Sequence, residues 1–403
     1  MGEWYRTPMR ILFLSQRVPY PPNRGDKITT WRLIDRMRRD HEVRVVAFAH
    51  GEADRGAAAQ LEAMGIPTEA VPHDPRLARL RSLPLLLTRR PLTLGVYGSR
   101  VLQAAVDRRV GEADVAYAYS SSMGAFLRPH RGLRRVMHFA ELDSDKWRQY
   151  AERVGPPSRW IYRREWRTLR GFERELAHSF DQNVFCTPLE ERIFQREIPG
   201  APSTVLRNGV DLEYFSPARN EPEPGHLVFT GVMDYYPNVD ACAHFAREVL
   251  PGVRARCPGA RFTIVGSSPA PEVVRLAELP GVRVTGFVED TRDHLRRAAV
   301  AVAPLRIARG IQNKVLEALA MGLPVVGTTA ATQGVEGRGG LHYRIADSTE
   351  EQIEAVCALL RDPATASGLA REGRRFVEQN YDWEVLLDGL DPILGNGRLE
   401  NAS

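Results

Sequence analysis

The chain has 403 residues, 43% hydrophobic and 26% charged, with a formal net charge of +5. At roughly 150 residues per domain this is a globular protein of two or three domains. So small a positive excess excludes a nucleic-acid binder wrapped in basic surface, but it suits a protein that handles anions or touches an acidic lipid headgroup layer.

RILFLS (10–15), VRVVAFA (43–49), DVAYAY (114–119), RRVMHF (134–139) and NVFCT (183–187) read as strands. LVFTG (227–231), RFTIVG (261–266), VRVTGF (282–287), VAVAPL (300–305) and LPVVGT (323–328) repeat the pattern. Helical stretches lie between them. In KITTWRLIDRMRR (27–39) the apolar Ile28, Trp31, Ile34 and Met37 form one stripe. In Thr187-Pro188-Leu189-Glu190 a capping threonine precedes proline at the first helical position and glutamate at the third. Strand–helix alternation predicts an α/β fold of parallel sheets with helices on both faces.

The alternation breaks once, at FSPARNEPEPGH (215–226), where proline, glycine and charge concentrate. That sets a boundary near residue 217 and predicts domains 9–216 and 217–375, with a C-terminal helix in 376–403 packing back toward the first. Ligands of such folds bind outside the carboxyl ends of the strands, here in a cleft bordered by both sheets. The four cysteines, Cys186, Cys242, Cys257 and Cys357, show no paired spacing and read as buried thiols in a reducing compartment. No apolar run reaches the ~20 residues of a membrane span, and the apolar start at Ile11–Leu14 is too short for a signal peptide, so a cytoplasmic location is expected.

Only three residues among the 55 Lys+Arg are lysines: Lys27, Lys146 and Lys314. Lys314 lies in RGIQNKVLEALAMGLPVV (309–326). If a helix starts at Gly310, steps of about 100° put Gly310, Asn313, Lys314, Glu317 and Met321 on one side. Ile311, Val315, Ala318 and Leu319 then face the core. Free N–H groups of a first turn beside a lysine form a phosphate-binding arrangement, and a carboxylate one turn on can accept bonds from sugar hydroxyls. The same spacing equally describes a solvated i, i+3 ion pair.

PLRIARGIQNKVLEALAMGLPVVGT resembles the donor-site segment of family-4 glycosyltransferases, whose fold is GT-B: two Rossmann-like domains with parallel sheets. RVPYPPNRGDK (17–27) resembles that family's N-terminal glycine loop, LRNGVDLEYFSP (206–217) its linker signature, and VTGFVED (284–290) the loop that cradles the base. The resemblance covers essentially the whole chain. It is nearest, through GVMDYYPNVDA and GIQNKVLEALAMG, to a bacterial branch linked to exopolysaccharide synthesis and exosortase (PEP-CTERM) systems. It implies donor contacts from Gly25, Asn208, Phe287, Arg309, Gly310, Ile311, Asn313, Lys314 and Glu317, with Lys314 and Glu317 also in catalysis. Two positions depart from the family pattern. Arg309 stands where a first glutamate is usual, and Val232-Met233 where an arginine often follows Phe-x-Gly; Arg306 or Arg309 would have to supply that charge.

In the N-terminal loop, Gly25 permits close backbone approach and Asp26 is placed to cap a helix starting near Lys27. Asp26, Lys27, Asp143 and Asp145 are expected on the acceptor side. In HFAELDSDKW (138–147) the resemblance implies a catalytic or sugar-binding role for His138, whereas a lone histidine at a strand end also reads as a packed residue. Asp143-Ser144-Asp145 matches the D-x-D pattern of metal-dependent transferases of a different fold, and with Glu141 these carboxylates alternate as an extended Mg²⁺ site would require. The second α/β half instead favours a metal-free enzyme, so no metal and no cofactor are expected.

RLARLRSLPLLLTRRPL (76–92) and SRWIYRREWRTLRGFERELA (158–177) mix arginine with apolar residues, as does a segment that docks on anionic lipid, or a packed helix with a basic outer face. The expected activity is a retaining, metal-independent transfer from a nucleotide-diphosphate sugar, UDP-sugar favoured, to a lipid-linked saccharide at the inner membrane face. The alternatives are a catalytically silent scaffold of a polysaccharide assembly complex, a nucleotide-sugar epimerase, or a phosphorylase needing a pyridoxal-phosphate lysine.

Overall fold

The computed structural model describes residues 7–217 and 222–395. The chain divides into two compact units, one running to Leu206 and resuming at Leu387, the other Arg207–Leu386. The LRNGVDLEYFSP segment therefore falls almost wholly in the second unit. Residues 218–221, inside the expected linker, lie outside the described residues, as do 1–6 and 396–403.

The first unit holds seven strands: β1 Arg10–Ser15, β2 Glu42–Ala49, β3 Thr68–Pro72, β4 Val115–Tyr119, β5 Arg134–Ala140, β6 Gln182–Phe185 and β7 Ser203–Val205. They lie in the order β3-β2-β1-β4-β5-β6-β7, and every pairing is parallel. Parallel neighbours need a crossover, and the alternating helices supply it. Both faces are covered, so β4 is buried along its whole length. Leu12, Val46, Ala116 and Met137 of the strands pack with Leu169, Phe172 and Leu176 of the Ser158–Ser179 helix. That helix, one of the two basic stretches, thus gives its leucine stripe to the core. The Leu390–Leu394 helix closes this unit, with the Ile393 carbonyl accepting from Arg134 at 3.0 Å and Asp391 pairing with Arg36 at 3.5 Å.

The second unit holds β8 His226–Thr230, β9 Arg261–Val265, β10 Val282–Val284, β11 Val300–Ala303, β12 Val325–Gly327 and β13 Arg344–Ile345, ordered β10-β9-β8-β11-β12-β13 and again parallel. β10 ends earlier than expected because Gly286, at φ 71, turns the chain out of the sheet.

Two helix starts differ from expectation. The first helix is Gly25–Met37, capped by the backbone of Arg24, so Asp26 lies in the first turn and pairs with Arg24 at 2.7 Å and Arg17 at 3.3 Å. Its buried face is Lys27, Thr30, Leu33, Ile34 and Met37; Trp31 is only half-buried, edge-on to Tyr20. The helix after β11 is Asn313–Ala320 rather than starting at Gly310. The expected cap at Thr187 forms, its hydroxyl accepting from Glu190 N–H at 3.0 Å.

Candidate functional site

In the second sheet β8 and β11 lie side by side, while the chain order runs away from them in both directions. This is the topological switch point, where the loops leaving the carboxyl ends of the strands part and open α/β sheets take ligands. The loop after β8 supplies Gly231 and leads to Asn238 in the Tyr236–His244 helix. The loop after β11 supplies residues 304–312 and leads to the Asn313–Ala320 helix.

These two loops meet at Lys314. Its ammonium donates to Oδ1 of Asn238 at 2.9 Å and lies 5.0 Å from the centre of the Phe229 ring. Asn238 is itself held, donating through Nδ2 to the Val232 carbonyl at 2.8 Å. The crowding explains Gly231: a Cβ there would lie 2.7 Å from Asn238 Nδ2 and 3.5 Å from Lys314 Cε. Burial pushes the Lys314 pKa down to about 8, against the pull of Cys242 and Glu317. Burial also pushes Glu317 up to about 7, against the attraction of Lys314. The exposed i, i+3 ion pair does not form. A part-buried ammonium is thus matched by a neutral amide oxygen and a ring face rather than by a carboxylate, an arrangement able to take an anion.

The helix start adds to it. Gly310, at φ 59, reverses the β11 loop, and Gln312 caps the helix without a side-chain bond to its first-turn N–H groups. Gln312 instead donates to the Arg309 carbonyl at 2.9 Å, and the buried Oδ1 of Asn313 has no hydrogen-bond partner. At the other end, Arg374 donates to the carbonyls of Ala320 at 2.5 Å and Phe215 at 2.8 Å, fixing the helix from its negative pole.

Residues 224–362 match the family model described as Glycosyl transferases group 1. Most of the second unit thus resembles a glycosyltransferase group 1 domain. Among curated relatives, glycogen synthase of Mycobacterium tuberculosis is 28% identical over 252 residues, 59% of each chain. The GDP-mannose-dependent monoacylated alpha-(1-6)-phosphatidylinositol monomannoside mannosyltransferase of Corynebacterium glutamicum is 27% identical over 243 residues, 55% of this chain and 64% of the relative. This chain thus spans less than two thirds of the length of either. HepE of Anabaena, solved in complex with UDP and glucose, superposes with a TM-score of 0.70 at 16% identity, covering 96% of this chain and 100% of that one. The architecture of both units is GT-B.

Within the matched region, Arg306 is committed to Asp240, with Nε 2.9 Å from Oδ2, and Arg309 is part-buried beside the turn at Gly310. Met233, one of the two residues that depart from the expected family pattern, is buried. Ile311 is half-buried against the core. Asn208 is buried where the chain passes so close to Tyr381 that a Cβ on Gly209 would lie 2.8 Å from the Tyr381 carbonyl. Phe287 is 70% exposed just beyond β10.

The first-unit residues differ in their surroundings, although Asp26 and Asp143 both lie near Tyr97, and His138 packs against Tyr119 with ring centres 4.8 Å apart. Lys27, expected on the acceptor side, is buried in an ion pair with Asp54 at 2.8 Å. His138 is inside the sheet, its Nδ1 2.7 Å from the Tyr117 hydroxyl, and burial holds its pKa down at about 3. It is a packed residue rather than one at an open strand end. Asp143 and Asp145 lie in the Asp143–Arg153 helix, not in an extended segment. Asp143 accepts from Ser121 at 2.9 Å and Lys146 at 3.0 Å, and Asp145 from Arg148 at 2.7 Å. Gly25 is exposed at its helix start.

The sequence reading missed Asn238, Gly231 and Phe229. Their signal was available: Phe-x-Gly at the end of a strand beside the switch point, with an asparagine in the first turn of the next helix.

Proposed function

We propose that the chain is a retaining, metal-independent glycosyltransferase that transfers a sugar from a nucleotide-diphosphate donor, a UDP-sugar favoured, to a lipid-linked saccharide during exopolysaccharide synthesis. The observation that carries this reading is Lys314, a part-buried cation matched by no carboxylate in its hydrogen bond and placed beside an uncapped helix start at the switch point. A diphosphate completes that site. Lys314 and the first-turn N–H groups hold its oxygens, and Glu317 accepts from the ribose hydroxyls. Support for the donor comes from HepE, solved with UDP and glucose. Support for the acceptor comes from the Corynebacterium relative, whose name gives a phosphatidylinositol monomannoside as its substrate.

In the reaction, the bond from the anomeric carbon to the diphosphate breaks as the acceptor hydroxyl bonds to that carbon on the same face, and a departing phosphate oxygen takes the hydroxyl proton. Negative charge grows on the diphosphate, where Lys314 and the helix start stabilise it most in the transition state. No separate strong base is needed, because the departing phosphate oxygen itself takes the proton.

The two shifted pKa values set a testable window. A diphosphate needs Lys314 charged, so affinity is full below about 8 and falls as pH rises through that value. A ribose hydroxyl needs Glu317 ionised, so affinity falls as pH drops through about 7. Calorimetric titration with UDP should therefore give tightest binding between those values, with limbs approaching roughly tenfold per pH unit. Glu317→Gln should weaken binding and flatten the acid limb. An acid limb of the same height in the variant would remove Glu317 from the donor site.

Transfer should also be unchanged by EDTA. Asp143 and Asp145 are engaged by Ser121, Lys146 and Arg148, and no group of three potential ligands forms among the described residues. Loss of activity on chelation, restored by Mg²⁺ or Mn²⁺, would reverse this part of the reading.

A further inference from the structure

The Pro75–Ser82 helix and the Leu83–Leu87 turn lie on the first unit with only Ser82 buried. Leu80 is 65% exposed, Leu83 53% and Leu87 93%. Residues 75–92 contain five arginines, seven leucines and no carboxylate. Among the described residues none of these arginines makes an ion pair. Exposing this many leucines is unfavourable in water, and doing so among unpaired cations marks an interaction surface.

The backbone beneath is handled differently. Arg164, in the Ser158–Ser179 helix, donates to the carbonyls of Leu85 at 2.6 Å, Leu86 at 3.2 Å, Thr88 at 2.5 Å and Arg90 at 2.9 Å. Its neighbour Glu165 accepts from the N–H groups of Leu92 at 2.7 Å and Thr93 at 2.8 Å. Gly95 lets this layer close up, since a Cβ there would lie 2.5 Å from Leu85 Cδ1. Backbone carbonyls of the segment are satisfied from below, while Leu77, Leu80, Leu83 and Leu87 and the five arginines are exposed. A surface that enters an apolar medium requires this division. Beside it runs a groove of about 400 Å³ lined by Leu85, Arg90, Leu94, Arg100 and Phe126.

We propose that residues 75–90 dock the chain on an anionic phospholipid surface, with leucines entering the acyl boundary and lipid phosphates held by the arginines, including Arg90 and Arg100 at the groove. This rests on the reading that the acceptor is lipid-linked, and it names the element that brings the chain to it. A second copy of the chain is a poor occupant, because a two-fold contact would set the same unpaired arginines against one another. An anionic membrane complements both features of the patch. The second basic stretch, 158–177, serves as the clamp, because its leucines are in the core.

The test is co-sedimentation of the full chain with phosphatidylcholine vesicles with and without phosphatidylglycerol. Binding should require the anionic lipid and weaken as salt rises. Leu80→Glu with Leu87→Glu, and separately Arg79→Gln with Arg89→Gln and Arg90→Gln, should each lower partitioning by about tenfold or more, with melting temperature unchanged. UDP affinity measured without vesicles should stay at the wild-type value, which separates this proposal from the donor-site reading. Equal binding to neutral and anionic vesicles, no binding to either, or wild-type binding by the leucine variant would overturn it. So would a dimer in solution that the leucine variant dissociates.

Discussion

Lys314→Ala is expected to lower transfer from a nucleotide-sugar donor by about ten- to a hundredfold, since a charge-assisted bond contributes roughly 1.5–3 kcal/mol. The loss should fall on turnover as well as on donor binding, because the bond strengthens while the diphosphate gains charge. Lys314→Arg should recover little. The ammonium sits between Asn238 Oδ1 and the Phe229 ring, and a Cβ on Gly231 would already lie 3.5 Å from Lys314 Cε. A forked, planar guanidinium does not fit that slot in the same pose. Melting temperature should not fall in the alanine variant, because removing a part-buried cation also removes its desolvation cost. Steady-state kinetics of both variants decide the matter: near-normal turnover in Lys314→Ala would remove the lysine from the donor site.

Gly266→Ala should cost about 3 kcal/mol or more of stability, roughly 6–12 °C in melting temperature for a unit of this size. Gly266 has φ 154, and an added Cβ would fall 1.6 Å from the Gly231 carbonyl oxygen. Backbone cannot yield as a flexible side chain does, so the β8 loop must move, and it carries Gly231 away from Asn238 and Lys314. Donor binding should therefore fall together with stability. Gly368→Ala is the control. Gly368 lies in the Pro363–Asn380 helix with open space around it, and alanine there should stabilise by about 0.5–1 kcal/mol. Thermal melts of the two variants check both signs. A Gly266→Ala protein that melts with wild type would show that the loops after β8 and β9 are not in contact.

The central strands were legible because they are buried on both faces and read as unbroken apolar runs. The three strands that sequence reasoning did not find are all sheet edges: β3 (TEAVP), β7 (STV) and β13 (RI). Their pairing comes from a neighbour on one side only, and nothing in so short and polar a run announces it. In the site, the helical period correctly sent Val315, Ala318 and Leu319 inward. It placed the helix start too early, because periodicity does not register that Gly310 is in the left-handed region. Pair partners were the larger loss. Lys27 finds Asp54, His138 finds Tyr117, and Lys314 finds Asn238 across 76 positions, each through the order of strands in a sheet. The resemblance to family-4 transferases pointed to Lys314 and Glu317, but not to the amide that accepts from Lys314.

The most direct measurement is a crystal structure of the chain with a nucleotide-diphosphate sugar, or with UDP. The diphosphate should lie over the first turn of the Asn313–Ala320 helix, with an oxygen about 2.7–2.9 Å from Lys314 Nζ. Glu317 should be at hydrogen-bond distance from the ribose. A nucleotide bound elsewhere, with Lys314 still donating only to Asn238, would contradict the account.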